Sequence, residues 1–352
     1  MTAGSAPAGL WTLAWRRLCL DPVAIGALAV VGAFLLMVLL SALGLIAGGW
    51  EREVAVNYAP PSFVAAASAA SAGSAASAGD PGNPPDASMQ AKAPAPLADN
   101  AFDPLIDDIK AIRAAGGQGA VAPAERLASL PFGADKWGHD IVTKTIKGGQ
   151  TSIVVGLVAA LLAVALGTVF GALAGFYGGL VDDAFNWFYS IFTAIPAILM
   201  ILAVAAVLQH KGVGTIVLIL GLTGWTGPFR LMRAEYMKHR AREYVMAADA
   251  IGASHWRQMA SHIFPNVSHV ALVQLSILVV GFIKAEVILS FLGFGVPVGM
   301  VSWGSMLNEA QNELILGKWW QMAAAALAMA VLVTAFSLLT DALRDALDPR
   351  LK

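Results

Sequence analysis

The sequence predicts an all-α polytopic membrane protein with six transmembrane helices, a polar cytoplasmic segment before the fifth, and a long extracytoplasmic loop after the first. Three observations predict it. The chain of 352 residues is 58% hydrophobic and only 13% charged, with a mean hydropathy of +0.69, outside the range of ordinary soluble domains. Apolar runs of about 20 residues, the length that spans a bilayer as a helix, recur six times. Lys and Arg near those runs cluster at alternate connections. A net charge of -1 gives no bulk attraction to nucleic acid, so no nucleic-acid partner is expected and charge acts only locally.

Residues 1–22 form the N-terminal segment, and Val23 to Ala47 the first span. That run is too long for a signal-peptide core, shows no cleavage site and precedes five more spans, so it reads as a retained helix. Residues 48–150 follow as one extracytoplasmic region. Within it, about 60–98 is nearly all Ala, Ser, Gly and Pro, as in SAASAGSAASAGDPGNPPD. Such a stretch buries too little apolar surface to offset its ordering entropy, and disorder is expected. FDPLIDDIKAIRAAGG then predicts a short helix over about 104–115, capped by Asp103, opened by Pro104 and stopped by two glycines. Its apolar face either packs on the protein's own outer surface or meets an extracytoplasmic partner or the membrane surface.

Residues 151–342 hold the remaining spans: Thr151 to Tyr177, Trp187 to Leu208, Gly212 to Gly227, Val267 to Leu292 and Trp320 to Leu339. Residues 343–352 form the C-terminal segment. Arg16 and Arg17 precede the first span. Arg230, Arg233, Lys238, Arg240, Arg242 and Arg257 lie between the fourth and fifth, and Arg344, Arg350 and Lys352 follow the sixth. With six spans all three segments fall on one side, which the excess of Lys and Arg makes the cytoplasm. Both termini and the loop 230–266 are then cytoplasmic.

That loop contains EYVMAADAIGASHWRQMASHIFPN, residues 243–266. As a helix it places Tyr244, Ala248, Ile251 and Met259 near one face, with Ala247 and Gly252 admitting a second backbone and Pro265 ending the element before the fifth span. Periodicity alone leaves two readings, a helix lying on the lipid surface or one packed against a partner.

The stretch resembles the coupling loop of bacterial ABC importer permeases, Glu-Ala-Ala, three residues, Gly, nine residues, Ile-x-Leu-Pro. Ala247, Ala248, Gly252 and Pro265 match at the right spacing. Met246 stands at the family's Glu, His262 at its Ile and Phe264 at its Leu, and Glu243 lies one turn before the missing acid. LPFGADKWGHDIVTKTIKGGQTSI is similar to the segment before the second span in the C-type subunits of dipeptide and oligopeptide importers. There Pro131, Phe132, Gly133, Asp135, Gly138 and Asp140 match, while Ala134 and His139 depart. AGFYGGLVDD, ILSFLGFGVPVGMVSWGSML and LRDALDPR follow in the same order.

The resemblance implies the permease subunit of an ATP-driven, binding-protein-dependent peptide importer in the bacterial inner membrane. It forms half of the pathway with a second permease, a heterodimer being expected. Glu243, Met246, Ala247, Ala248, Gly252, His262 and Pro265 would couple it to two cytoplasmic ATPase subunits, which hold ATP and Mg. An extracytoplasmic binding protein would deliver peptide near Phe132 to Asp140 or the 293–303 loop.

The chain carries no phosphate-cradling GxxxxGK[ST] loop, so it is not read as an enzyme, and no cofactor is expected on it. KGGQ, Lys147 to Gln150, is only superficially like the ATPase signature. The six histidines show no metal-ligand spacing, so no metal is expected, and Cys19 stands alone. Lys284 and Glu286 place charge inside the fifth span, which is costly and marks either pairing with other spans or a pathway role. Two residues apart on a helix, they cannot pair with each other. The alternative function is an ion-gradient-driven carrier using those two charges, which would call for paired broken helices in an internal repeat.

Overall fold

The first two long helices begin where the sequence supplies a capping aspartate. In the computed structural model, which describes residues 15–67, 126–208, 212–297 and 299–347, helix α1 (Pro22–Ala42) opens on Asp21. Its carboxylate accepts from the Val23 N–H at 2.9 Å, with Pro22 in the first turn. Helix α2 (Ile141–Tyr177) opens on Asp140, which accepts from the N–H groups of Val142 and Thr143 at 3.3 and 3.0 Å.

At 37 residues, α2 is about 55 Å long by helical rise, and it starts ten residues before the expected Thr151. A hydropathy window sees only the lipid-matched part of a helix. The more polar stretch 141–150 continues it because its polar side chains find partners: Thr145 Oγ1 donates to the Ile141 carbonyl at 2.7 Å, and Lys147 to Gln150 at 2.9 Å.

The third apolar run starts earlier than Trp187 and is not straight. Helices α3 (Gly179–Ala194) and α4 (Ala197–Leu208) meet at 89°. Pro196 lacks an N–H and drives Ile195 into extended backbone, φ -103° and ψ 133°. A gentler bend of 41° at Gly224 and Trp225 joins α5 (Val213–Thr223) to α6 (Thr226–Arg240). The polar connection expected over 230–266 is therefore mostly helical: α6 carries it to Arg240, and α7 (Glu243–Ala250) follows.

Helix α8 (His255–Phe291) passes through Pro265 without stopping, which corrects the expected break. A π-helical turn over Gln258–Ile263 makes this possible. The Phe264 N–H donates to the Met259 carbonyl, five residues back, and the widened turn accommodates the proline ring. Helices α9 (Trp303–Ile315) and α10 (Trp320–Leu347) complete the chain, α10 running eight residues past the expected Leu339.

Among the described residues four helices are long and apolar enough to cross a membrane, and the two bent pairs bring the number to six. Residues 53–138 make a separate compact unit from the spans. Residues 62–67 are helical rather than irregular, while the rest of the Ala/Ser-rich insert and the short helix over 104–115 lie outside the described residues.

The core of the spanning unit centres on α2. Ala159, Ala160 and Ala163 are fully buried against Ile216 and Leu220 of α5, Val279 and Ile283 of α8, and Leu332 of α10. Towards its C-terminal end α2 turns to glycine at every fourth position. A Cβ on Gly167 would lie 2.6 Å from the Trp225 carbonyl oxygen, one on Gly171 2.8 Å from that of Phe229, and one on Gly175 2.5 Å from that of Arg233. Backbone therefore meets backbone along α2 and α6, the close approach that small-xxx-small spacing permits between helices in lipid.

Candidate coupling and pathway sites

The segment 243–263 folds into a knob held from behind. Val245 and Ala248 of α7 are buried, and Val245 packs in a cluster with Met232, Tyr236, Met259, Ile263 and Phe176. The Tyr236 hydroxyl donates to the Met259 carbonyl at 3.2 Å. Gln258, itself buried, donates from Nε2 to Asp249 Oδ1 and to the Ala253 carbonyl, both at 2.8 Å. The buried face is thus Val245, Ala248, Met259 and Ile263. Tyr244 and Ile251, expected there, lie outward.

Gly252 works as a helix stop, and among the described residues no other backbone of this chain approaches it. Its φ is +83°, and a Cβ there would meet nothing within 4 Å. The Ala253 N–H donates to the Ala248 carbonyl and the Gly252 N–H to that of Asp249, the two bonds of a Schellman cap. This turns the chain sharply and leaves Ile251 at the tip.

The outward surface of the knob is apolar: Ile251 is 85% exposed, Trp256 71% and Met246 54%. Ala247 and Glu243 border it, Glu243 in the first turn of α7 where the helix dipole favours an acid. His262 is half-buried within the π turn, and Pro265 is exposed just after it. Sequence reasoning missed Trp256, which no motif position singles out.

Lys284 and Glu286 part company. Glu286 is fully buried; Ser290 Oγ donates to its Oε1 at 2.6 Å, and the hydroxyls of Ser152 and Ser302 lie about the same carboxyl. Ser152 Oγ also accepts from the Trp303 N–H at 3.2 Å, so this polar knot ties α2, α8 and the start of α9 together. Lys284 is exposed on the opposite face of α8, with Ile277, Ile288 and Phe291 along the same stripe. Among the described residues it makes no hydrogen bond or ion pair.

A second buried polar group, also missed in the sequence, lies at the start of α2. Lys144 donates to Glu309 Oε2 of α9 at 2.7 Å and to Gln321 Oε1 of α10 at 3.4 Å, and Gln321 Nε2 donates to the Met306 carbonyl at 3.1 Å. The glycines of KGGQ serve the same junction. A Cβ on Gly149 would lie 2.8 Å from the Trp303 indole, whose Nε1 donates to the Thr145 carbonyl at 3.0 Å.

In the 53–138 unit, motif residues build turns. Gly133 and Gly138 have φ of +84° and +83°, and a Cβ on Gly138 would strike the Ala55 carbonyl. Asp135 is buried; its carboxylate accepts from the Trp137 N–H at 2.8 Å, and its carbonyl accepts from the N–H groups of Tyr58 and Gly138. Phe132 is 56% exposed. Asp140, in the spanning unit, is the α2 cap described above.

Residues 167–352 match the family described as "Binding-protein-dependent transport system inner membrane component". The chain is 35% identical to a dipeptide transport system permease protein of Bacillus subtilis over 221 residues, 63% of this chain and 69% of that one. It is equally identical to an oligopeptide transport system permease protein of the same organism, over 63% of this chain and 72% of that one. An oligopeptide transport system permease protein of Haemophilus influenzae is 32% identical over 62% and 70% of the two chains. Multi-pass helical architecture, the anchored 243–263 knob and a match over more than half of its length agree: this chain belongs to the family of inner membrane components of binding-protein-dependent transport systems.

Proposed function

We propose that the chain is a permease subunit of an ATP-driven peptide importer, with both termini cytoplasmic. It pairs with a second permease, two cytoplasmic ATPase subunits and an extracytoplasmic binding protein. ATP and Mg belong to the ATPase subunits. The observation that carries the reading is the knob: an apolar outer surface of Met246, Ile251 and Trp256 on a back fixed by Val245, Ala248, Met259 and Gln258.

The coupling role falls to Glu243, Met246, Ala247, Ala248, Gly252, His262 and Pro265 in different ways. Glu243, Met246 and Ala247 meet the ATPase; Ala248 and Gly252 set the knob's shape; His262 and Pro265 sit at the π turn that joins it to α8. A push on α7 reaches Tyr236 of α6 through Val245. From α6 it reaches α2 through the glycine seam, where backbones in contact leave no soft side chains to absorb the motion. The knob, α6 and α2 then move as one lever.

Lys284 is assigned to the pathway and Glu286 to a structural bracket, because only Lys284 is exposed on this chain. Phe132 offers an apolar contact for the binding protein, on turns shaped by Gly133, Asp135 and Gly138, while Asp140 starts α2. The test is to solubilise the tagged chain from its native membrane in mild detergent, comparing wild type with Ile251→Asp and Gly252→Arg. Co-purification of a second permease and ATPase subunits with the wild type, and loss of the ATPases from both variants, is the expected result. A chain that purifies alone and transports in vesicles without ATP would overturn the reading in favour of the gradient-driven carrier.

A further inference from the structure

Below the knob, α6, α8 and the end of α10 enclose a groove of about 840 Å³ whose two walls differ in character. One end is basic: Lys238, His239 and Arg242 from the end of α6 and the link to α7, His269 from α8, and Arg344 from α10. The other end is mostly apolar, with Leu231, Val270, Val273 and Ile277 along α6 and α8 and the Gln274 amide among them. Ile277 lies eight residues beyond His269 on α8, about 12 Å deeper along the helix.

The one acid lining the groove is already engaged. Glu235 takes the Lys238 ammonium at 3.0 Å and faces His239 at 3.6 Å. His239 Nδ1 also lies 2.7 Å from the Tyr244 hydroxyl. Among the described residues no ion pair engages Arg242 or Arg344, and Asp345 lines a different groove, with Arg17 and Asp21. Two guanidiniums on different elements, Arg242 and Arg344, thus line the same cleft as the Glu235-paired Lys238 ammonium, and its inner wall is mostly aliphatic with Gln274 among it.

We propose that this groove binds an anionic phospholipid: the headgroup phosphate between Lys238, Arg242 and Arg344, and one acyl chain along Val270, Val273 and Ile277. Guanidinium forks suit phosphate oxygens, and basic pockets between spans at the membrane surface take acidic headgroups. The aliphatic wall favours a lipid over a free phosphate, which would have no use for it. The occupant would wedge the junction of α6 and α7 against α8, so the lipid surroundings would reach the knob directly. The inference rests on membership of a membrane-spanning family and not on peptide as cargo.

The test uses the full-length chain in nanodiscs of phosphatidylcholine carrying a small fraction of phosphatidylglycerol, followed by detergent extraction and lipid mass spectrometry. Phosphatidylglycerol should stay bound to the wild type. It should fall on the order of 100-fold in Lys238→Gln/Arg242→Gln/Arg344→Gln, about fivefold for each charge. Lys318→Gln, a charge outside the groove, should retain it. A second measurement needs no variant: amide exchange over 240–244 should slow in phosphatidylglycerol discs relative to pure phosphatidylcholine. Equal retention by the triple variant, or equal exchange in the two lipids, overturns the proposal. Slowing in pure phosphatidylcholine on adding inorganic phosphate alone would assign the site to a free phosphate instead.

Discussion

Gly171 decides how closely α2 and α6 approach. An added Cβ would lie 2.8 Å from the Phe229 carbonyl oxygen and 2.9 Å from both the Arg233 nitrogen and Met232 Cβ. Two of these atoms are backbone and cannot rotate away, so the helices must part by roughly half an ångström to regain normal contact. Overpacking of this kind costs about 1–3 kcal/mol. Alanine also gains about 1 kcal/mol over glycine in helix propensity, which would mask part of the loss. Gly281→Ala on α8 removes that ambiguity, because its Cβ meets nothing within 4 Å while its propensity gain is the same. Gly171→Ala is therefore expected to be about 1–3 kcal/mol less stable than Gly281→Ala, roughly a 5- to 150-fold change in the unfolding equilibrium. Reversible unfolding of the purified chain in mixed micelles, followed by circular dichroism and tryptophan fluorescence, measures it. Agreement of the two variants within about 0.5 kcal/mol would refute the claim that backbone contact holds this seam.

Gly252→Ala forces a side chain into left-handed backbone at φ +83°, at about 1–2 kcal/mol. Amides of α7 should exchange several-fold faster, with Gly252→Asn milder because Asn tolerates that region. Arg233 holds Asp182 through two bonds, Nε to Oδ1 at 2.5 Å and Nη2 to Oδ2 at 2.6 Å, both side chains mostly shielded. A double-mutant cycle with Arg233→Gln and Asp182→Asn should return a coupling of about 1–2 kcal/mol; independence of the two sites would sink the pair as a strut between α3 and α6. Glu286→Leu should destabilise by about 1–3 kcal/mol by leaving serine hydroxyls without an acceptor, whereas Lys284→Gln should alter uptake with little change in unfolding. The reverse pattern would exchange the roles given to these residues.

Much of the architecture was legible in the chain because hydropathy reads directly what lipid demands: apolar length, polar ends and Lys or Arg at alternate connections. The positions of α1 and α5, the start of α10 and the end of α8 followed from such local signals. The helix extension through 141–150 was not legible, since its polar residues are held by partners such as Glu309, which is 165 positions from Lys144. The glycine seam was within reach, as Gly167, Gly171 and Gly175 recur every four residues, but spacing alone names no partner helix.

Proline and glycine show the same division. Pro196 and Pro265 look alike in sequence, yet one produces an 89° break and the other lies inside a continuous helix. The difference is the π turn before Pro265, which Met259 and Ile263 hold in place by burying in the cluster with Tyr236 and Val245. Gly252 announced a special position, but only its φ and its two capping bonds show that it stops a helix. The sequence by itself determined that the chain is a multi-pass helical membrane protein, because apolar length and spacing are properties of local composition. Which face of the 243–263 segment is buried, and which of Lys284 and Glu286 reaches the surface, only the tertiary structure decided. Burial depends on neighbours brought together from distant parts of the chain.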